Sequence, residues 1–167
     1  SWRTPSVTRP CGPGATFLWE LLLARFPEID YAVLGEGEIT FLELARALQV
    51  GKDSDLSRIK GLAYRVEGKA VRNPDQGPIR DLDQLPRPSK HFPYRHVTSS
   101  RGCPGNCTFC GSPRFWGRRV RFHSPNWFAT QLEELHRQGM HSFYFSDDTF
   151  TLKKDRVIAI CKEILER

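Results

Sequence analysis

Three of the chain's five cysteines fall in one short run, Arg101-Gly102-Cys103-Pro104-Gly105-Asn106-Cys107-Thr108-Phe109-Cys110, and nothing else in the sequence constrains the fold as tightly. Thiols spaced C-x3-C-x2-C on a loop can converge on one point, because Gly102 and Gly105 permit backbone turns that other residues resist. A disulfide framework fits poorly. Three clustered cysteines leave one over, the other two stand far off at Cys11 and Cys161, and no secretion signal is present. Two metal readings stay open. A structural zinc site wants four protein ligands, and His123, thirteen residues past Cys110, is the candidate fourth. An iron–sulfur cluster held by three thiolates leaves one iron free for a small molecule, and the spacing fits that better.

Charge marks the same segment. The chain has 25 basic and 19 acidic residues among its 167, a formal net charge of +6. Between Gln84 and Leu132 there is no Asp or Glu, whereas Arg87, Lys90, Arg95, Arg101, Arg114, Arg118, Arg119 and Arg121 all lie there. The remainder, with 17 basic and 19 acidic residues, is slightly negative. One local anionic site explains this pattern better than general polyanion binding. The longest largely apolar run, Phe17 to Ala24, is broken by Glu20 and is far shorter than the ~20 residues of a membrane span. No signal-peptide pattern opens the chain. Met140 is the single methionine, so the chain is expected to be a piece of a longer protein, with a cytoplasmic setting.

Periodicity gives the element order. Ala15–Phe26 and Ile39–Val50 read as helices, the first ended by Pro27 and the second closed by Gly51, with a strand over Asp30–Leu34 between them. Leu62–Val66 and Ala70–Arg72 alternate around Glu67-Gly68-Lys69 as a hairpin. Asn73–Tyr94 carries five prolines and reads as an extended linker holding the domain boundary. His96–Ser99 is a strand opening into the cysteine loop. Ser124-Pro125 starts a helix that stops at Gly139, His141–Phe145 is a second strand, and Val157, Ile158, Cys161, Ile164 and Leu165 line one face of a last helix. Strand, helix, strand, helix with short connections implies parallel strands. The fold class is α/β, with the second half forming the opening of a (β/α) barrel. Cys11 and Cys161 are expected to be buried, unligated thiols. Glu36 and Glu38 in the Gly35–Glu38 turn are expected to serve structure rather than acid–base chemistry.

The cysteine loop resembles the signature of radical S-adenosylmethionine (SAM) enzymes. The resemblance implies that Cys103, Cys107 and Cys110 hold a 4Fe–4S cluster, that SAM chelates the fourth iron, and that an electron from the cluster splits it to a 5′-deoxyadenosyl radical. Phe109 matches a position that packs beside the adenine moiety. Ser112 to Ser124 and the FSDDTFT run from Phe145 to Thr151 resemble the branch with an upstream cobalamin-binding domain, as do Gly12–Thr16, Ile29–Tyr31 and Gly35–Glu38. Three segments follow: 1–50, a C-terminal remnant of a Rossmann-like cobalamin-binding domain; 51–94, a hairpin and Pro-rich linker; and 95–167, the N-terminal part of a radical SAM barrel.

In that family the strand end carrying Asp147 and Asp148 meets the SAM amine; a helix-capping or turn role is the alternative for either carboxylate. The family's cobalamin domain opens with a histidine motif that this chain lacks, and its closing glycine pair is here Cys11-Gly12. Cobalamin is therefore expected to belong to the longer parent rather than to be retained by this chain. A reductant such as flavodoxin or ferredoxin and a small-molecule substrate are implied as partners. Two competing functions remain: a zinc-stabilised RNA-binding module using the three cysteines and His123, or an inactive truncated product. Arginines beside an anionic cluster explain the run from Phe115 to Phe122 without RNA.

Overall fold

The computed structural model describes residues 10–50 and 55–167. Gly51 and the first nine residues of segment 1–50 lie outside the described residues. The chain divides into two compact units, one ending at Ile79 and one beginning at Arg80.

In the first unit, helix α1 spans Gly12–Arg25, strand β1 Tyr31–Val33 and helix α2 Gly37–Val50. Strands β2 (Leu62–Val66) and β3 (Lys69–Arg72) form a hairpin. Its loop has two residues, Glu67 at φ 50° and Gly68 at φ 80°. Positive φ at both loop positions is what a tight hairpin turn needs, and it draws Lys69 into the strand, one residue earlier than the sequence suggests. The hairpin also pairs with β1, Tyr31 opposite Tyr64, so the sheet is antiparallel in the order β1-β2-β3.

Alternation along β1 sends its side chains to two faces. Ala32 and Leu34 pack with Leu23 of α1, while Val33 packs with Leu44 of α2, Ile59 and Leu62. Arg65 ties the layers together. Its guanidinium donates to the carbonyls of Leu23, Phe26 and Ile29 at 2.6–2.9 Å, satisfying the Leu23 carbonyl in the last turn of α1 and holding the turn that follows it.

The stretch that reads as an extended linker is partly coiled. Two short 3-10 turns, Leu82–Gln84 and Pro88–Lys90, interrupt it, the first capped by Asp81 and the second opened by proline. The second unit continues with β4 (His96–Val97), β5 (Ser100–Arg101), α3 (Ser112–Trp116), β6 (Arg121–Phe122), α4 (Pro125–Arg137), β7 (Tyr144–Phe145) and α5 (Lys154–Leu165). β4 and β7 pair in parallel, as the strand–helix rhythm implies. Both are shorter than the strands expected over His96–Ser99 and His141–Phe145. Ser124 caps α4 by accepting from the Trp127 amide at 3.1 Å, with proline at the first position. Val97, Trp127, Phe128, Leu132, Leu135 and Ile160 make the core.

Helix α5 departs from the expected face. Ile160 is the residue it buries, while Ile158, Ile164, Leu165 and Cys161 are exposed. The 3.6-residue period allows more than one apolar stripe here, and packing with Leu132 and Leu135 selects the one through Ile160. Cys11 is exposed too, so neither outlying cysteine is the buried thiol that the sequence suggests. Glu36 is buried and accepts from the Ile79 amide at 3.4 Å, a structural use of the turn. Among the described residues, no helix is long and apolar enough to cross a membrane.

Candidate functional site: the cysteine loop

The cysteine loop is the tip of a short ribbon. β5 and β6 pair antiparallel, Ser100 opposite Phe122 and Arg101 opposite Arg121, and close residues 102–120 at their base. Gly102 makes the closure possible. It sits at φ 102°, and a Cβ there would lie 2.8 Å from the Arg119 carbonyl oxygen. Any other residue would pay in backbone strain and in a clash.

Gly105 serves differently, by leaving space for sulfur. A Cβ built on it would lie 3.3 Å from Cys103 Sγ and 3.9 Å from Cys107 Sγ, and its amide donates to Cys103 Sγ at 3.4 Å. The Cys110 amide donates to the Cys107 carbonyl at 3.2 Å, turning the chain between the last two thiols. All three are free; Cys103 is half-buried, and Cys107 and Cys110 are exposed. Among the described residues, no three His, Cys, Asp or Glu side chains are gathered as a ready metal cluster. The donor set nonetheless suits a soft metal centre: free thiols on one loop, with Gly105 close beside the sulfurs of Cys103 and Cys107. Phe109 is 90% exposed on the same loop.

The arginine–aromatic run folds back toward this loop. Arg118 donates to the Asn106 side chain, between the first two cysteines, and the Arg101 guanidinium lies over the Trp116 ring at 5.4 Å. Trp116 in turn meets Phe115 edge-on at 4.5 Å.

Asp147 and Asp148 follow β7 and have different surroundings. Asp147 is half-buried and accepts from the Ser99 amide at 3.0 and 3.1 Å, from Ser99 Oγ at 2.8 Å, and from Ser100 Oγ. Asp148 is exposed and accepts from Ser112 Oγ. Thr149 Oγ1 stands 3.7 Å from Cys103 Sγ. The sequence pointed to the carboxylates but not to Ser99, Ser100, Ser112 or Thr149 as their partners. The adjacent hydroxyls of Ser99 and Ser100, shortly before the cysteine loop, were the available signal.

His123 is used elsewhere. Its ring stacks on Trp127 at 3.6 Å between centroids, and its Nδ1 lies 3.1 Å from Asp83 Oδ1. Burial drives its pKa down to about 4, against the pull of Asp83. Asp83 itself is pushed up by burial, but its bonds from Ser124 and His123 outweigh this and hold it below the ordinary carboxylate value. A ring stacked and hydrogen-bonded in this way is a structural part, which weakens it as a fourth zinc ligand. Arg156 of α5 donates to the carbonyls of Ser99 and His123 at 2.8 and 3.2 Å, tying the ends of β4 and β6 to one helix.

Residues 97–167 match the radical SAM superfamily. An uncharacterized methyltransferase of Pyrococcus horikoshii is 41% identical over 165 residues, covering 92% of this chain and 36% of its own length. The anaerobic magnesium-protoporphyrin IX monomethyl ester cyclase of Rubrivivax gelatinosus is 31% identical over 96% of this chain and 32% of its own. Among solved structures, the cobalamin-dependent S-adenosylmethionine radical enzyme OxsB, with aqua-cobalamin and S-adenosylmethionine bound, aligns with a TM-score of 0.74 at 26% identity, covering 95% of this chain and 24% of that one. The radical S-adenosylmethionine methyltransferase TsrM from Kitasatospora setae shares the fold, with a TM-score of 0.76 over 98% of this chain and 34% of its own, at 24% identity. The chain thus spans about a third of the length of the curated relatives named here.

Proposed function

Because the chain belongs to the radical SAM superfamily, with residues 97–167 as its matching segment, we propose that Cys103, Cys107 and Cys110 are the protein ligands of a 4Fe–4S cluster that binds S-adenosylmethionine. One observation carries this reading: three free thiols share a glycine loop whose base is closed by the β5–β6 ribbon. When bound, the cluster supplies the electron for reductive cleavage of S-adenosylmethionine. The protein's own residues position that ligand. Phe109, exposed on the loop, offers its ring to the adenine moiety. Asp148 suits the ligand's ammonium group better than Asp147, because it is exposed and can exchange its Ser112 partner, whereas Asp147 is engaged by Ser99 and Ser100.

The second unit is read as the opening of a (β/α) barrel, with β4 and β7 its first parallel strands, and the first unit as the C-terminal part of a cobalamin-binding domain. In the longer cytoplasmic protein, cobalamin and a small-molecule substrate join a radical reaction such as methylation of an unreactive carbon. An acidic reductant of the flavodoxin or ferredoxin type fits the exposed Arg114, Arg118 and Arg119 near the loop. This chain alone is expected to retain cobalamin weakly or not at all. The test is spectroscopic. Adding S-adenosylmethionine to the reduced, reconstituted chain should change the electron paramagnetic resonance signal, and Asp148→Asn should raise the concentration needed. An unchanged signal at saturating S-adenosylmethionine would contradict the proposal.

A further inference from the structure

The turn after β7 reaches the cysteine loop at three places that are 36 to 48 residues away in sequence. Asp147 holds the entry, through the amide and hydroxyl of Ser99 and the hydroxyl of Ser100. Thr149 meets the first thiol, its Oγ1 3.7 Å from Cys103 Sγ. Asp148 meets Ser112, two residues beyond the last cysteine. Arg156 also braces the entry, by donating to the Ser99 carbonyl. Ser99 is fully buried, so its amide and hydroxyl need partners inside the protein, and Asp147 supplies both.

We propose that Asp147 and Thr149 act as a clasp: Asp147 is a positioning residue that fixes the loop entry, and the Thr149 hydroxyl donates a hydrogen bond to the Cys103 sulfur once that sulfur is a metal ligand. The inference rests on the cluster reading given above. A ligating sulfur is a thiolate, with no proton to donate, so in this pair the hydroxyl is the donor. A hydrogen bond on a ligating sulfur stabilises the extra negative charge of the reduced cluster and raises its potential. It also orients the ligand, as outer partners do at metal sites generally. The same short turn therefore sets both where the cluster sits and how readily it accepts an electron.

The test compares the reconstituted chain with Thr149→Val, which keeps the shape and removes the donor, and with Thr149→Ser, which restores it. Two readouts are used: iron released to a chelator over time, and the midpoint potential from a redox titration followed by electron paramagnetic resonance. Thr149→Val should lower the potential and weaken cluster retention by roughly tenfold or more, and Thr149→Ser should recover both. Asp147→Asn should weaken retention as well, with circular dichroism confirming that the chain is folded. If the parent chain loads iron and Thr149→Val matches it in potential and retention, the clasp is overturned while the cluster reading stands. A parent chain that takes up no iron overturns the cluster reading, and the clasp falls with it.

Discussion

The two units spend their polar side chains differently. In the first, three polar side chains close backbone requirements: Arg65 caps α1, Asn73 donates to the carbonyls of Leu56 and Ile59, and Thr40 donates to the Lys60 carbonyl. In the second, part of the polar inventory does the same work. Glu134 accepts from Arg87 Nε and Nη2 and from Ser89 Oγ, and Asp83 holds His123 and Ser124. The rest converges on the cysteine loop. Acid-free from Gln84 to Leu132, the sequence is served by carboxylates from outside it: Asp83 and Glu134 near its ends, and Asp147 and Asp148 from the turn after β7. A scaffold whose polar groups are internally consumed has little left for chemistry. A loop steadied by imported carboxylates, with its thiols still free, is built to hold something.

This contrast can be broken by substitution. The largest effect should come from Asp147→Ala. It strips the partners from the buried Ser99 amide and hydroxyl and should cost about 3 kcal/mol in a urea melt, against about 0.5 kcal/mol for Asp148→Ala at its exposed site. Equal costs would show that the two carboxylates do not divide as argued.

Acid should single out the second unit through His123. Its pKa of about 4 in the fold lies below the ordinary 6.5. Between those values the unfolded chain binds a proton that the folded chain excludes. Stability is therefore full above pH 6.5 and falls as pH drops toward 4, by up to about 3 kcal/mol. Thermal melts across this range should show the slope, and His123→Phe, which keeps a ring against Trp127, should flatten it.

In the first unit, Arg65→Met keeps the apolar stem and removes the bonds to three carbonyls, which should cost about 2 kcal/mol in a urea melt. The smallest effects should be at the outlying thiols. Cys11→Ser and Cys161→Ser are exposed and should change stability by less than about 0.5 kcal/mol without altering iron content.

What the sequence made legible was local. Ser124-Pro125 started a helix because cap and first-turn chemistry lie within four residues, and the Glu67-Gly68 turn announced a hairpin for the same reason. The cysteine spacing marked one loop carrying three thiols, and the fold closes that loop at its base. What it hid was long-range. The pairing of β1 with the hairpin, the β5–β6 ribbon and the cap from Arg65 to α1 depend on partners far apart in sequence, and no periodicity encodes them. Asp147 and Asp148 were visible as a pair, but their division of labour depends on Ser99, Ser100 and Ser112. The face of α5 was misjudged because two apolar stripes overlap, and only its neighbour decides between them.

The central claim is that the loop of Cys103, Cys107 and Cys110 binds an iron–sulfur cluster. Metal and acid-labile sulfide counted per chain after anaerobic reconstitution test it most directly. About four irons and a matching sulfide content are expected, lost on replacing any of the three cysteines with alanine and kept in Cys161→Ala. One zinc per chain with no iron taken up would contradict it.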